Sequence, residues 1–264
     1  MLFRTIHINT FISGLICSVF VALGQSNTYA QIDGFVPTPW PQNSSSIGPD
    51  YSPVFAYRTL RANDSEVDQA VVKTRNENES PLLSNSFGIS YQLKRFSDPF
   101  KRDRKEKGTI YTACIRFTSF RYKDMLGVDL AHDNDPVRPI KSEITTTYRY
   151  IQIPLSIGFF KSDKQWTKYA YIGVSPNIKT TFHQRKTTRY SNGEELTKTI
   201  QSEDAIRPIT LSAQGALGME YESQNNLIYF IEPFFQYDLT STTSATVREL
   251  LWSTGIRLGF RFRL

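Results

Sequence analysis

The feature that most constrains this sequence is a strict alternation of apolar and polar side chains along several long segments. It is sharpest over residues 252–264, where one face would carry Trp252, Thr254, Ile256, Leu258, Phe260, Phe262 and Leu264. The intervening positions are Ser253, Gly255, Arg257, Gly259, Arg261 and Arg263. A period of two residues places the two sets on opposite faces of a β-strand, so the chain is predicted to be all-β.

Eight segments with this alternation are predicted to be strands. They cover about residues 51–60, 86–96, 111–118, 151–159, 168–182, 209–220, 227–239 and 252–264. The first has the weakest pattern. Several exceed the about 5–6 residues of an ordinary strand and match the about 9–11 residues that a tilted strand needs to cross a membrane.

The links between the predicted strands alternate between long and short. The long ones are polar, at 62–80, 123–143 and 184–204. Outer-membrane barrels have long external loops and short periplasmic turns, and only helices or closed barrels satisfy the whole backbone within lipid. We therefore predict an eight-stranded antiparallel up-and-down transmembrane β-barrel in a bacterial outer membrane. A soluble periplasmic sandwich of the same strands is the alternative.

The composition argues against two other classes of protein. With 39% hydrophobic residues and a mean hydropathy of −0.37, the 264-residue chain does not suit a helical membrane protein with several apolar spans of about 18 residues. Its 18 Phe and 14 Tyr are too many for a disordered chain.

Residues 1–30 have the organisation of a secretory signal peptide. A basic residue, Arg4, precedes an apolar stretch at about 11–23, and a polar stretch then ends at Ala30. Cleavage is predicted after Ala30 or, alternatively, after Gly24.

The exported part is divided into two regions. Residues 31–50, rich in Pro, Gly, Ser and Asn, are predicted to be an irregular periplasmic tail, and residues 51–264 to be the barrel. Because Cys17 lies in the leader, Cys114 alone remains, and an intramolecular disulfide is excluded.

The polar faces of the strands carry charges that would point into the barrel. A charge facing lipid at mid-bilayer costs about 2–4 kcal/mol, whereas an eight-stranded interior can be filled by side chains. We predict an internal ion-pair network that plugs the barrel, with positions at the watery rims as the alternative for some members. The set is Lys94, Arg116, Glu220, Glu232, Asp238, Arg257, Arg261 and Arg263.

Aromatic residues near the predicted strand ends suggest the girdles that mark the two membrane interfaces. They are Trp166, Tyr169, Tyr171, Tyr221, Tyr229, Tyr237 and Trp252.

Several short motifs resemble a known family. Residues 150–155 (YIQIPL) followed by 171–176 (YIGVSP), the Gly-rich 214–218 (QGALG) and the aromatic 255–262 (GIRLGFRF) resemble the PorT-like outer-membrane β-barrel domain family of Bacteroidota. The resemblance covers about residues 86–264. It implies an outer-membrane barrel that is assembled by the barrel-assembly machinery.

Few residues suggest chemistry. His132 with Asp133, or His183 with Ser191, are candidates for a lipid-modifying site at the outer rim, with both histidines in predicted loops. An acidic loop could bind calcium and a basic run could contact phosphate-bearing lipid, although solvated turns explain both: Asp129, Asp133, Asn134 and Asp135, and Lys101, Arg102, Arg104, Lys105 and Lys107. We predict no catalytic residue, metal or cofactor.

The expected function is that of a structural or interaction protein, not an enzyme, which displays outward loops or docks an envelope partner. The alternative is transport, as a narrow channel or a component of a secretion apparatus. A lipid-modifying enzyme at the rim is the third possibility. The expected partners are outer-membrane lipid and lipopolysaccharide, the barrel-assembly machinery and an envelope or secretion protein, but not nucleic acid.

Overall fold

The computed structural model describes residues 43–62, 65–97, 105–126, 139–200, 206–223 and 225–264. They belong to one compact unit, Pro39–Leu264, whereas a second unit, Met1–Thr38, lies outside the described residues together with the predicted signal peptide. The elements are β1 (Asn43–Arg61), α1 (Glu66–Asn78), β2 (Glu79–Phe96), β3 (Lys105–Leu126), β4 (Pro139–Gln152), β5 (Leu155–Asp163), β6 (Trp166–Tyr190), β7 (Glu195–Ile200), β8 (Ile209–Glu222), β9 (Leu227–Asp238) and β10 (Arg248–Arg263).

Strands β4 and β5 are two halves of one barrel strand. The register of Gln152 with Arg116 continues, without a shift, into that of Leu155 with Ala113. The assignment is interrupted at Pro154, which has no N–H to donate, although its carbonyl accepts a hydrogen bond from the Cys114 N–H at 3.1 Å.

The strands form a closed antiparallel ring. Its order is β1, β2, β3, β4 with β5, β6, β8, β9 and β10, which pairs again with β1. Strand β7 lies outside this ring and pairs with the far end of β6. The predicted eight-stranded antiparallel barrel is therefore confirmed.

The stagger of the barrel follows from the register. A row of paired residues that starts at Tyr57 on β1 runs through Trp252, Tyr237, Ala213, Val174, Leu155, Ala113 and Tyr91 and returns to β1 at Ile47. The offset is ten residues (57 − 47). With eight strands, this stagger gives a tilt of about 40°, so each residue rises about 2.5 Å along the barrel axis.

The outer surface is apolar in the part of the barrel between the strand ends. Phe159 is 76% exposed and Ile172 72%, whereas polar neighbours such as Ser175 and Gln92 are fully buried. This inverts the pattern of a water-soluble protein, in which such a belt would be an aggregation hazard, and it is the pattern that lipid requires. The strands therefore cross a membrane. Separately, no described helix is long and apolar enough to span a membrane.

The first strand starts earlier than predicted, which corrects the boundary of the irregular tail at 31–50. Strand β1 begins at Asn43, because residues 43–50 pair with β2 along their whole length. Inward Ser46 and Asp50 alternate with outward Ile47 and Tyr51. The alternation is hard to recognise in the sequence because Gly48 and Pro49 interrupt it.

The predicted long loops contain more regular structure than expected. The segment 62–80 includes α1, whose cap Ser65 accepts a hydrogen bond from the Asp68 N–H at 3.4 Å. Strands β3, β4 and β6 continue into 123–143 and 184–204, and β6 forms a hairpin with β7. These extensions were missed because strands surrounded by water on their outer face need no apolar alternation.

Candidate functional site

The interior of the barrel holds layers of paired charges. Nearest the short turns, the Glu220 carboxylate accepts hydrogen bonds from Gln92 Nε2 at 2.7 Å and Arg261 Nη1 at 2.6 Å, and also from the Lys94 ammonium. All four side chains are buried. A buried carboxylate is tolerated because these three partners, from β2 and β10, compensate its desolvation.

A second layer lies one step higher. Glu232 accepts hydrogen bonds from Tyr169 at 2.9 Å, Tyr171 at 2.5 Å and Arg257 at 2.5 Å. Across the barrel, Arg116 Nη2 donates to Asp50 at 2.9 Å. The Glu232 group thus connects β6, β9 and β10, and the Asp50–Arg116 pair connects β1 and β3.

Two arginines stack on aromatic rings in the space left by glycines. The guanidinium of Arg257 lies 4.0 Å from the Phe234 ring centre, and that of Arg261 lies 3.8 Å from the Phe230 ring centre. A Cβ at Gly259 would lie 2.8 Å from the Phe230 ring and 2.4 Å from the Pro49 carbonyl. The Gly–x–x–x–Gly spacing of β10 is thus a packing device inside the barrel.

The space that remains between these layers is very small. The cavity lined by Asp50, Arg116, Glu232 and Arg257 has a volume of about 20 Å³, which is room for about one water molecule. Among the described residues, the predicted plug is therefore present at this level.

Above the charged layers lies a set of amides and hydroxyls. Asn177 donates to the Ser212 hydroxyl, and Ser212 donates to Asp238 at 2.6 Å. Gln236 Nε2 also donates to Ser212, at 3.0 Å. This polar layer continues the filling of the interior towards the end of the barrel that carries the long loops.

A third charged cluster closes the interior at the loop end. Arg58 donates from Nε to Glu79 at 2.7 Å, and from Nη1 to Glu249 at 2.5 Å and to the Tyr122 hydroxyl at 2.8 Å. Tyr148 donates to the second oxygen of Glu249 at 3.0 Å. We call these five residues the floor cluster.

The floor cluster is the base of a large open cavity, the outer vestibule. It has a volume of about 960 Å³ and is walled by α1 and by apolar residues of the surrounding strands and loops, including Ile144, Phe182, Ile206 and Val247. Helix α1 is held over the mouth by Arg75, which contacts Glu249 at 3.2 Å, and by Asp68, which accepts from Thr246 at 3.2 Å. The vestibule therefore combines charged, aromatic and aliphatic surfaces.

The predicted inward charges are confirmed with one exception. Lys94, Arg116, Glu220, Glu232, Asp238, Arg257 and Arg261 are all buried in the interior. Arg263 lies at the rim instead, where it pairs with Glu222 at 2.6 Å and keeps 38% of its side chain exposed.

The predicted aromatic girdles are confirmed in part. Trp166 and Tyr221 lie together on the outside at the short-turn end, with ring centres 4.9 Å apart, and Trp252 lies 6.0 Å from Tyr57 at the loop end. Tyr169 and Tyr171 do not belong to a girdle. They occupy inward positions of β6, where Glu232 accepts from their buried hydroxyls.

The candidates for chemistry have different outcomes. His183 lies on β6 and not in a loop. His132, the acidic group at 129–135 and most of the basic run at 101–107 lie outside the described residues. No group of three metal-binding side chains occurs among the residues that the structure describes.

The floor cluster was not predicted from the sequence. Arg58 stood at an inward position of the weakest strand, and Glu79 and Glu249 lay in segments assigned to loops. The signal that could have found Arg58 is the continued two-residue period from Asp50 and Ser52, both of which are buried.

Comparison with known proteins gives structural likenesses only. No family model matches the sequence, and no curated protein matches it. Among solved structures, the chain is similar to Ail of Yersinia pestis (15% identity, 83% of this chain and 97% of that chain, TM-score 0.30) and to the outer-membrane protease OmpT of Escherichia coli (6% identity, 88% and 99%, TM-score 0.41). OprG of Pseudomonas aeruginosa is also similar (8% identity, 84% and 96%, TM-score 0.38).

The closed ring, the apolar belt and the segregation of long loops to one end define the architecture on their own. The chain is a bacterial outer-membrane β-barrel. Its short turns and the start of β1 lie at the periplasmic end, and α1, the β6–β7 hairpin and the vestibule lie at the outer end.

Proposed function

We propose that this barrel is a non-conducting structural or interaction protein that contacts a partner at the cell surface through its outer vestibule. The observation that carries the proposal is the filled interior, where hydrogen-bonded charges leave a cavity of about 20 Å³ between the charged layers. A barrel filled with side chains cannot transport a solute through its centre. Its function is therefore expected to depend on the surface at its outer end.

The vestibule supports an interaction role. Its volume of about 960 Å³ is at the upper end of the range for small-molecule sites, about 300–1,000 Å³. On α1, Val67 is 72% exposed and Val71 37% exposed, and Arg75 keeps 40% of its side chain accessible. An exposed apolar ridge beside a partly accessible cation is suited to bind a partner segment of mixed apolar and acidic character.

The surroundings of His183 support a role that is not enzymatic. The charged groups that act on this side chain are all cations, namely Arg149, Arg185 and Arg121. A catalytic histidine of the Ser–His–acid type needs a carboxylate to orient it. We therefore assign His183 no catalytic role, and we retain membership of the PorT-like family, with an envelope or secretion protein as the partner, as part of the proposal.

Conductance in planar lipid bilayers tests the plug. We expect the purified barrel to show no stable open pore, and a stable pore of nanosiemens size would overturn the proposal in favour of transport. Arg261→Ala, which empties part of the interior, is expected to raise the frequency of small current steps. Arg263→Ala, two residues along the same strand but at the rim, is the matched control and should behave like the parent.

Site-specific photo-crosslinking in cells tests the interaction. A photoreactive residue in place of Val67, in the vestibule, should give a discrete protein adduct. The same residue in place of Leu217, which is 65% exposed on the lipid-facing side, should give none. Equal adducts at both positions, or none in the vestibule, would contradict a partner at this site.

A further inference from the structure

A separate surface lies on the outside of the barrel, directly above the apolar belt. On β3, β4 and β6 the apolar belt ends at a row of outward residues, Phe117, Ile151 and Ile178, which are cross-strand partners. Beyond this row, towards the loop end, most outward positions on the same three strands are polar, and several are basic.

Three arginines and a histidine cluster in this outward surface. Arg121 and His183 flank Thr147 on either side in the register. Arg149 lies two residues along β4 towards the belt, whereas Arg185 lies two residues along the antiparallel β6 towards the loop end, on the same face. Residues directly opposite each other are about 4.5–5.5 Å apart at Cβ, and diagonal neighbours about 7–8 Å. We call Arg121, Arg149 and Arg185 the arginine patch.

Burial and local electrostatics agree with this placement. Thr147, at the centre, is only 6% exposed although it lies on the outer face. Partial burial and the charges of Arg149, Arg185 and Arg121 lower the pKa of His183 below its usual value. Arg121 and Arg149 are therefore diagonal neighbours, and Arg185 lies above them on the same wall.

Within the described part of the chain, the patch has no counter-charge of its own. Among the described residues, no carboxylate lies within salt-bridge distance of Arg121, Arg149 or Arg185. The nearby Glu143 is already shared by Lys123 and Lys141, each at 2.6 Å. Guanidinium groups on one wall that have no carboxylate partner among the described residues repel each other, so an external anion would stabilise them.

The height of the patch indicates where that anion comes from. Because of the stagger of ten residues over eight strands, paired residues on neighbouring strands differ in height by about 1.25 residues. After this correction, Arg121 and Arg149 lie approximately level with Tyr57 of the outer girdle. Arg185 lies about 15 Å higher. The equivalent level of the opposite wall carries Leu239 and Leu250 instead. At the level of Arg121 and Arg149 the basic charge thus lies on the side of β3 and β4, whereas the exposed pair Arg61 and Arg248 lies higher, on β1 and β10.

We propose that the arginine patch binds the phosphate groups of a phosphorylated glycolipid of the outer leaflet, that is, lipopolysaccharide. Guanidinium groups bind phosphate oxygens in bidentate pairs, and the apolar row of Phe117, Ile151 and Ile178 directly below is placed to contact the acyl chains of the same molecule. This site lies on the outer wall and is independent of the function proposed for the vestibule.

Lipid binding by the purified full-length barrel in neutral detergent tests the proposal, with the shift in thermal unfolding as the readout. Lipid A with both phosphates should raise the unfolding temperature of the parent. The triple variant Arg121→Gln, Arg149→Gln, Arg185→Gln should need at least tenfold more lipid A for the same shift. Because these side chains are exposed, the variant should keep the heat-modifiable gel mobility of a folded barrel.

The matched control removes the same charge at the other end of the same wall. Lys107, Lys161 and Lys168 form an outward row at the short-turn end, and their triple replacement by Gln should leave the response to lipid A within about threefold of the parent. Equal loss in both triple variants would show a general charge effect and would overturn the proposal.

The choice of ligand distinguishes the phosphate sources. Dephosphorylated lipid A should produce no shift, and neither should inorganic phosphate alone. A shift with phosphate alone would assign the patch to a free anion, and an equal shift with phosphatidylglycerol would assign it to any anionic lipid surface. Either result would overturn recognition of the glycolipid.

Discussion

Arg261 and Arg263 are two residues apart on one strand, but one is buried in an ion network and the other pairs in water at the rim. Arg261→Ala leaves Glu220 with one cation fewer inside the barrel, and we expect a loss of about 3–5 kcal/mol in the free energy of unfolding. Arg263→Ala should cost about 0–1 kcal/mol. Urea unfolding in lipid vesicles measures both, and equal losses would contradict the burial assigned to Arg261.

A pair of glycines provides a second test at the residue scale. A Cβ at Gly259 would lie 2.4 Å from the Pro49 carbonyl, whereas the nearest atom to a Cβ at Gly215 is 3.9 Å away. We expect Gly259→Ala to lower the free energy of unfolding by about 1–3 kcal/mol and Gly215→Ala to have little effect. The same unfolding assay checks the difference, and a neutral Gly259→Ala would contradict the close approach of the Pro49 carbonyl to this position.

Individual positions differ in how far the sequence could predict them. The two-residue period was sufficient to place Lys94, Glu220 and Arg257 inside the barrel, because a single phase along each strand decides the face. It could not predict their partners, since Glu220 and Lys94 are 126 residues apart and meet only through the ring. Tyr171 was wrongly assigned to an aromatic girdle, because the acceptor of its hydroxyl, Glu232, lies on another strand.

At the scale of elements, α1 is the least anchored part of the described chain. It has no buried residue, and a helix of about 13 residues is marginal on its own. Arg75→Ala removes its contact with Glu249, and we expect at least a tenfold faster hydrogen exchange of the α1 amides with little change in global stability. Mass spectrometry of exchange measures this.

Lys73→Ala on the same helix is the control for that measurement, because Lys73 is exposed. Similar acceleration in both variants would mean that the loss of a positive charge in general, and not the contact with the floor cluster, loosens α1, since Ala itself favours the helix. Helix α1 and the β6–β7 hairpin could not be predicted from alternation, since neither buries an apolar face against lipid or core.

At the scale of the whole molecule, the segregation of loops and turns predicts the orientation. A cysteine in place of Val67 should react with a membrane-impermeant maleimide on intact cells, whereas a cysteine in place of Gln165, in the turn between β5 and β6, should react only after the outer membrane is permeabilised. The native Cys114 is only 7% exposed and gives little background. The reverse pattern would invert the topology.

The architecture as a whole was the most predictable level. Strand number, closure and the direction of the apolar face all follow from the alternation together with the cost of an unpaired backbone in lipid. The continuity of β4 with β5 through Pro154 agrees with the strand predicted over 151–159. The stagger of ten residues could not be predicted, because it depends on the register between strands that the sequence pattern does not encode.

The seam between β1 and β10 has a kinetic consequence. Ser46 is paired with Arg263 across it, a separation of 217 residues (263 − 46), so the loop-closure entropy of this pairing is among the largest in the molecule. Until every intervening strand is in place, two long unpaired edges stay open to any other extended chain. The slow step of biogenesis is therefore expected to be the zipping of the first strand to the last, and this is the moment at which the nascent protein most depends on a chaperone.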